Sequence, residues 1–80
     1  MIRYEIDTIF AVRPRKGERR HNGRLLKTSV CGAADLAEAR AEYAAAVKRA
    51  DDYSAPIAFR AYDWDAFMAD PFNTKPIETA

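Results

Sequence analysis

The sequence has few of the residues on which covalent cross-links and metal sites depend. One cysteine and one histidine exclude an intramolecular disulfide and the paired cysteines and histidines of a zinc site. Three glycines and four prolines in 80 residues are too few for collagen-like material. The hydrophobic content of 49% is ordinary for a folded chain. We therefore expect one small folded domain over residues 1–80.

Long hydrophobic runs are also lacking. The longest covers only residues 43–47, and Arg3, Glu5 and Asp7 interrupt the amino-terminal segment. A signal peptide or a membrane-spanning helix needs a longer apolar stretch. The sequence thus predicts no membrane partner, and the lone cysteine fits the reducing cytoplasm.

The first part of the chain predicts a β-hairpin over residues 1–31. Apolar and charged side chains alternate along residues 2–12, as in a strand with one buried face, and residues 25–31 return to an extended pattern. Residues 13–24 between them are almost free of apolar side chains and form a basic loop. Two connections stay open: a two-residue turn at residues 22–23, or a loop of roughly ten residues.

The rest of the chain predicts one helix and one further strand. A capping box formed by Asp35 and Glu38 begins an Ala-rich amphipathic helix, which we expect over residues 34–53. Residues 57–64 alternate as a strand, and residues 65–80 predict a short turn or helix followed by a loose tail. The predicted fold class is α+β: a two-layer ββαβ arrangement in which one amphipathic helix packs on one face of a small, mostly antiparallel sheet.

The sheet face away from this helix is predicted to carry apolar side chains, namely Ile9, Ala11, Leu25, Cys31, Tyr62 and Trp64. That is more apolar surface than a monomer usually leaves in water. Two explanations stay open. The face forms a homodimer or partner interface, or the carboxy-terminal segment with Phe67, Met68 and Phe72 folds back to cover it.

The net charge of +1 conceals a charge split between the two parts of the chain. Residues 1–32 hold eight basic and three acidic side chains, and residues 33–80 hold five basic and nine acidic ones. The densest positive charge lies in the basic loop, where we predict partner-binding residues Arg13, Arg15, Lys16, Arg19, Arg20 and Arg24. Arginine binds phosphate and carboxylate with bidentate geometry, so nucleic acid and an acidic protein surface both fit.

Acidic and aromatic side chains form a second candidate binding set, with Asp51, Asp52, Asp63, Trp64, Asp65 and Asp70. Mixtures of aromatic and charged side chains are typical of interface hot spots. No set of residues predicts a nucleophile with its base, a phosphate-binding loop or a metal site. The sequence therefore predicts a protein that is not an enzyme and needs no cofactor.

The chain as a whole resembles the small anti-CRISPR proteins encoded by bacteriophages and mobile elements. The resemblance rests on the amino-terminal hairpin, the Ala-rich helix containing the run DLAEARAEYA at residues 35–44, the further strand and the lack of a catalytic constellation. It implies a stoichiometric inhibitor, present in the cytoplasm of the bacterial host. Such an inhibitor would bind a type I CRISPR surveillance complex (Cascade), with a backbone subunit as the suspected partner, and keep target DNA from hybridising. The net charge near zero favours a specific protein contact over mimicry of DNA.

Two other functions compete with this one. The chain could be a small nucleic-acid-binding regulator that uses the basic hairpin, with nucleic acid as the secondary choice of partner. It could also be an accessory phage protein that acts as a homo-oligomer. The sequence leaves open whether it is a monomer or a homodimer.

Overall fold

A computed structural model describes residues 1–12 and 23–80 and shows an antiparallel sheet with a helix packed on one face. The described elements are β1 (Ile2–Val12), β2 (Gly23–Ala33), α1 (Leu36–Lys48), β3 (Ser54–Asp63), α2 (Trp64–Ala69) and β4 (Glu78–Thr79). The strand order is β2-β1-β3-β4, and each neighbouring pair is antiparallel. The predicted α+β class and the ββαβ core are confirmed, while α2 and β4 extend them.

The hairpin register decides between the two connections that the sequence left open. β1 and β2 pair from Ile2 opposite Ala33 to Val12 opposite Gly23. Gly23 is therefore a strand residue, so residues 22–23 are not a two-residue turn and residues 13–22 join the strands. β2 also continues two residues past the predicted end at residue 31, because β1 already starts at Ile2 and offers partners there.

The core lies between α1 and the sheet face that we call the helix face. Strand alternation points Tyr4 and Ile6 of β1 toward the helix, and Phe59 of β3, 1% exposed, lies at the centre of the core. The Tyr43 ring of α1 stacks on Phe59 with 5.0 Å between centroids. Ala39 is completely buried, since its small side chain lets the helix approach the sheet closely.

Helix α1 has the predicted N-cap, Asp35, but it begins at Leu36 rather than residue 34 and ends earlier than expected. The Asp35 carboxylate accepts a hydrogen bond from the Glu38 amide at 2.8 Å, while the Glu38 carboxylate accepts from the Ala34 amide rather than from Asp35. The expected helix over residues 34–53 is wrong at its end, because α1 stops at Lys48. The reason is a turn in which the Asp51 carboxylate accepts from the amides of residues 53 and 54, which starts β3.

Strand β3 begins three residues before, and ends one residue before, the predicted range 57–64. Its pairing with β1 shifts register between Asp7 and Thr8, so Thr8 lies opposite Pro56. This bulge accommodates a proline, which has no amide hydrogen to donate to the backbone hydrogen bonds between β1 and β3. At the other end, the Asp63 carboxylate accepts from the Ala66 amide at 2.9 Å and caps α2. Trp64 is consequently a helix residue, not a strand residue.

The predicted loose tail is docked on the sheet. Phe59 and Ala80 exchange backbone hydrogen bonds of 2.8 and 2.9 Å, and β4 pairs with β3. The Arg40 guanidinium of α1 binds the Glu78 carboxylate at 2.7 Å, which joins the last strand to the helix. Within the described residues, no helix is long and apolar enough to cross a membrane.

Candidate interaction surface

A ladder of ion pairs crosses the outer face, which is the sheet face opposite α1. The Arg60 guanidinium of β3 donates to Asp7 at 2.8 Å and to Glu5 at 3.0 Å. Arg3 donates to Glu5 at 3.3 Å, and the Thr28 hydroxyl of β2 donates to Asp7 at 2.6 Å. The ladder thereby joins β1 to both of its neighbouring strands through side chains.

Electrostatics of the ladder favour the charged forms of Asp7 and Arg60. Hydrogen bonds from Arg60 and then Thr28 lower the pKa of Asp7 to about 2, and the hydrogen bond to Asp7 raises the pKa of Arg60. Two guanidinium groups face two carboxylates, so the ladder as a whole is neutral. It stabilises the sheet and presents no net charge to a ligand.

Helix α2 covers one end of the outer face. The Arg3 guanidinium lies 4.0 Å from the centre of the Phe67 ring, a cation–π contact, and the Tyr62 and Phe67 rings are 4.9 Å apart. Met68 and Phe72, in contrast, are 63% and 96% exposed. Of the three apolar residues expected to cover this face, only Phe67 does so.

The register corrects the expected composition of the outer face. Leu25 and Cys31 pair with Phe10 and Tyr4, so they lie on the helix face instead. There Cys31 is exposed beside a groove of about 280 Å³ between β2 and α1. Burial first, and then a hydrogen bond with Cys31, raises the pKa of Tyr4 to about 12.

Among the described residues, Arg24 is the basic side chain at the end of the sheet where β1 stops and β2 starts. Arg24 is exposed. The carboxy-terminal residues of α1 do not reach this end, since Arg49 lines the groove beside Tyr4 and Cys31. The chain after α1 returns to the same end, where the Ala11 amide donates to the residue 53 carbonyl at 2.8 Å. The predicted binding residues Arg13, Arg15, Lys16, Arg19 and Arg20 lie outside the described residues, in the segment that joins these two strands. We call this region the basic end.

The opposite end of the sheet carries carboxylates. Ile2 pairs with Ala33 on one side and Asp63 on the other, so the start of α1 and the start of α2 meet at this end. We call it the acidic end, and it holds the carboxylates of Asp35, Glu38, Asp63, Asp65 and Asp70. Ten residues of extended strand separate the two ends, which corresponds to roughly 33 Å.

The predicted acidic and aromatic set is consequently divided. Asp63, Trp64, Asp65 and Asp70 lie together on or beside α2 at the acidic end. Asp51 and Asp52 belong to the basic end, where they line a groove of about 300 Å³ with Arg24. The sequence groups these residues in one acidic set. The structure separates them because β3, which lies between the two groups in the sequence, carries the chain across the whole sheet.

The sequence does not predict that β2 lies at the edge of the sheet. β2 is an edge strand, and its residues 24–32 are all exposed. Leu25, Leu26 and Val30 on it are 55%, 57% and 46% exposed. The extended pattern predicted a strand, but it contained no signal for a position at the edge of the sheet.

Two further observations bear on the class of protein. Among residues 1–12 and 23–80, no three His, Cys, Asp or Glu side chains are grouped so that they could hold a metal ion. Comparisons of the chain with known protein families, curated proteins and solved structures found no match. What the described residues define is a small α+β protein with a neutral ion-pair ladder on its outer face, carboxylates grouped at one end of the sheet, and an edge strand, β2, that they leave uncovered.

Proposed function

We propose that this chain is a stoichiometric inhibitor, without catalytic activity of its own, of a type I CRISPR surveillance complex. It would act in the cytoplasm of a bacterial host by binding the complex and preventing target DNA from binding or hybridising. The observation that supports this function best is the separation of charge by the fold. Among the described residues, the exposed Arg24 lies at one end of β1 and the carboxylates of α2 lie at the other, while the ladder between them is neutral.

The basic end supplies the first contact in this proposal. Among its described residues, Arg24 is exposed, and the basic residues of the 13–22 segment follow directly from Val12. Guanidinium groups bind carboxylates and phosphates with two parallel hydrogen bonds. Acidic side chains of a backbone subunit, or phosphates of the guide RNA, are the groups that this end would bind.

The acidic end supplies the second contact. Its carboxylates at Asp65 and Asp70 are exposed and lie beside the exposed Met68 and Phe72. A surface that binds DNA is rich in Lys and Arg, and carboxylates compete with DNA phosphates for such groups. The adjacent apolar side chains add area that loses water on binding. Binding at both ends would place the sheet across the DNA path.

A gel-shift experiment tests this proposal. Labelled target DNA is offered to a reconstituted type I surveillance complex with and without the protein, beside lanes that hold only the protein and DNA. We expect the shift by the complex to disappear and the protein alone to leave the DNA free. An unchanged shift by the complex at a several-fold excess of protein would refute the inhibitor proposal.

Charge reversals then assign the two contacts. Arg19→Glu with Arg20→Glu should weaken inhibition through the basic end, and Asp65→Lys should weaken it through the acidic end. Glu42→Lys is the control of matching charge change for Asp65→Lys, since Glu42 is exposed on α1 and belongs to neither end. Equal inhibition by all of these variants would show that charge separation is not the basis of binding.

A nucleic-acid-binding regulator is the second candidate function, and the basic end favours it as well. In that case the protein alone would shift the DNA, and its affinity would fall steeply with salt concentration. Arg19→Ala with Arg20→Ala would then lower the slope of log affinity against log salt by about 2. The lanes without the complex distinguish this function from inhibition.

A further inference from the structure

One edge of β2, with which no described residue pairs, is the feature that the proposed function leaves unused. β2 has eleven residues, about twice the usual strand length, and β1 pairs with only one of its two edges. A strand in such a position leaves a row of backbone amides and carbonyls without strand partners. Natural proteins usually shorten, cover or charge such edges. β2 carries two charged residues, Arg24 and Lys27, but it is long and also exposes leucine and valine side chains.

We propose that β2 pairs with β2 of a second copy of this chain, antiparallel and around a two-fold axis at Thr28. The two four-stranded sheets would then join into one continuous sheet of eight strands. This inference is independent of the proposed function, since it concerns the protein alone.

Hydrogen-bond geometry restricts the registers available to this pairing. Residues directly opposite each other in an antiparallel pair direct their backbone groups in the same sense, either toward each other or away. When a strand pairs with its own copy, every opposite pair must therefore have residue numbers of the same parity. The two-fold axis therefore lies between one residue of β2 and the same residue of the second copy. It cannot lie level with the midpoint between two consecutive residues of β2.

Side-chain chemistry selects Thr28 among these positions. With the axis at Thr28, Leu26 lies opposite Val30 of the second copy on the outer face, and Leu25 lies opposite Cys31 on the helix face. Each pair occurs twice by symmetry, and apolar or β-branched side chains opposite each other stabilise a sheet. The two basic residues of β2 meet neutral partners, because Lys27 lies opposite Ser29 and Arg24 opposite Gly32.

Neighbouring registers lack these advantages. An axis at Lys27 places two ammonium groups opposite each other, which is destabilising. An axis at Ser29 places Leu26 opposite Gly32 and Leu25 opposite Ala33, which is only 3% exposed. The axis at Thr28 also pairs all eleven residues, since Thr28 is the midpoint of Gly23–Ala33.

The surroundings of β2 leave room for the second copy. Helix α1 packs against Phe59 and Tyr4, over the middle strands, and of β2 it buries Ala33 but leaves residues 24–32 exposed. The groove of about 280 Å³ beside Cys31 opens next to the position that Leu25 of the second copy would take. Because the paired strands run in opposite directions, the two basic ends would point away from each other and remain accessible.

Mass measurement with charge-swap variants tests this pairing. Sedimentation of the purified protein should show a mass that rises from 9.0 kDa to about twice that value with concentration. Leu26→Asp and Val30→Lys should each shift the midpoint of association to at least tenfold higher concentration. The double variant should restore it, because Asp at position 26 meets Lys at position 30 of the other copy. Both side chains are exposed, so circular dichroism spectra should stay unchanged.

Cross-linking tests the register separately. In a Cys31→Ser background, Thr28→Cys should form a disulfide-linked dimer on mild oxidation, since cysteines at the axis lie within disulfide distance. Lys27→Cys is the matched control, because its copies would lie about 8 Å apart, too far for a disulfide.

Three results would overturn the proposal. A mass of 9.0 kDa at every concentration would exclude self-association. A dimer that both single charge variants leave intact would place the interface elsewhere. A monomer whose Leu26→Asp variant loses binding to a surveillance complex would assign the edge to a strand of that partner instead.

Discussion

Substitution of Asp7 by asparagine tests how much the charged ladder on the outer face contributes to stability. Asp7 accepts two hydrogen bonds from Arg60, at 2.8 and 3.0 Å, and one from the Thr28 hydroxyl at 2.6 Å. Asparagine has nearly the same shape and keeps one acceptor oxygen for Thr28, but it loses the negative charge that faces Arg60. We expect Asp7→Asn to lower the free energy of unfolding by about 1 to 2 kcal/mol at pH 7.

The magnitude follows from the pKa of Asp7. The ladder lowers that pKa from its ordinary value of 3.8 to about 2. One pKa unit corresponds to about 1.4 kcal/mol, which sets a ceiling of about 2.5 kcal/mol for the interaction of the charged form. The side chains of Asp7 and Arg60 are 14% and 29% exposed to solvent, so solvent screens part of this interaction energy. The expected loss is still large for a chain whose single core supplies roughly 3 to 5 kcal/mol.

The pH dependence identifies the cause of the loss. A carboxyl whose pKa is lower in the folded than in the unfolded chain stabilises the fold above its unfolded pKa, here near 3.8. That contribution disappears as the pH falls through about 2. The difference in unfolding free energy between the natural chain and Asp7→Asn should therefore be complete at pH 6 and shrink steadily between about pH 4 and pH 2.

Urea unfolding at several pH values, followed by Trp64 fluorescence, measures this difference. Asp52→Asn is the matched control, because Asp52 is exposed and makes no hydrogen bond or ion pair with the described residues. It should change the unfolding free energy by less than about 0.5 kcal/mol. Equal stability of the natural chain and Asp7→Asn at pH 6, or a difference that does not shrink below pH 4, would refute the reasoning.

Three other predictions concern the core, a helix cap and the last strand. Phe59→Ala removes the central buried ring and should cost about 3 to 5 kcal/mol, enough to unfold the chain, as circular dichroism would show; a native spectrum would contradict it. Asp35→Ala removes the cap of α1 and should cost about 1 kcal/mol in urea unfolding, and no change would mean that the cap is dispensable. Arg40→Gln breaks an exposed ion pair and should leave global stability nearly unchanged because solvent screens such pairs, yet hydrogen exchange of the Ala80 amide should accelerate. Unchanged exchange there would show that β4 holds without Arg40.

Several elements were predictable because local chemistry decides them. Alternation along β1 assigned Tyr4 and Ile6 to the buried face and Arg3, Glu5 and Asp7 to the other, as the structure shows. The start of α1 followed from the hydrogen bond between Asp35 and Glu38, which lie three residues apart. Such signals involve neighbours in the sequence, and no distant part of the chain competes with them.

Other elements depended on competition with distant segments. The helix end at Lys48 was not predictable from helix propensity, because the Asp51 turn and the pairing of β3 with β1 begin soon after it. β4 contains only two residues and has no pattern of its own, so its strand conformation comes from pairing with β3. The ion pairs of Arg60 join residues 55 and 53 positions apart, and only the register brings them together.

The sequence by itself determined the α+β fold class, the faces of β1, the N-cap of α1 and the split of charge between the two parts of the chain. These features follow from side-chain periodicity and from hydrogen bonds over three or four residues, which do not depend on the tertiary structure. The tertiary structure decided that the acids of α2 gather at one end of the sheet, that Asp51 and Asp52 lie apart from them, and that β2 is an edge. Each of these depends on strand order and register, which are set by how the sheet buries its face against α1.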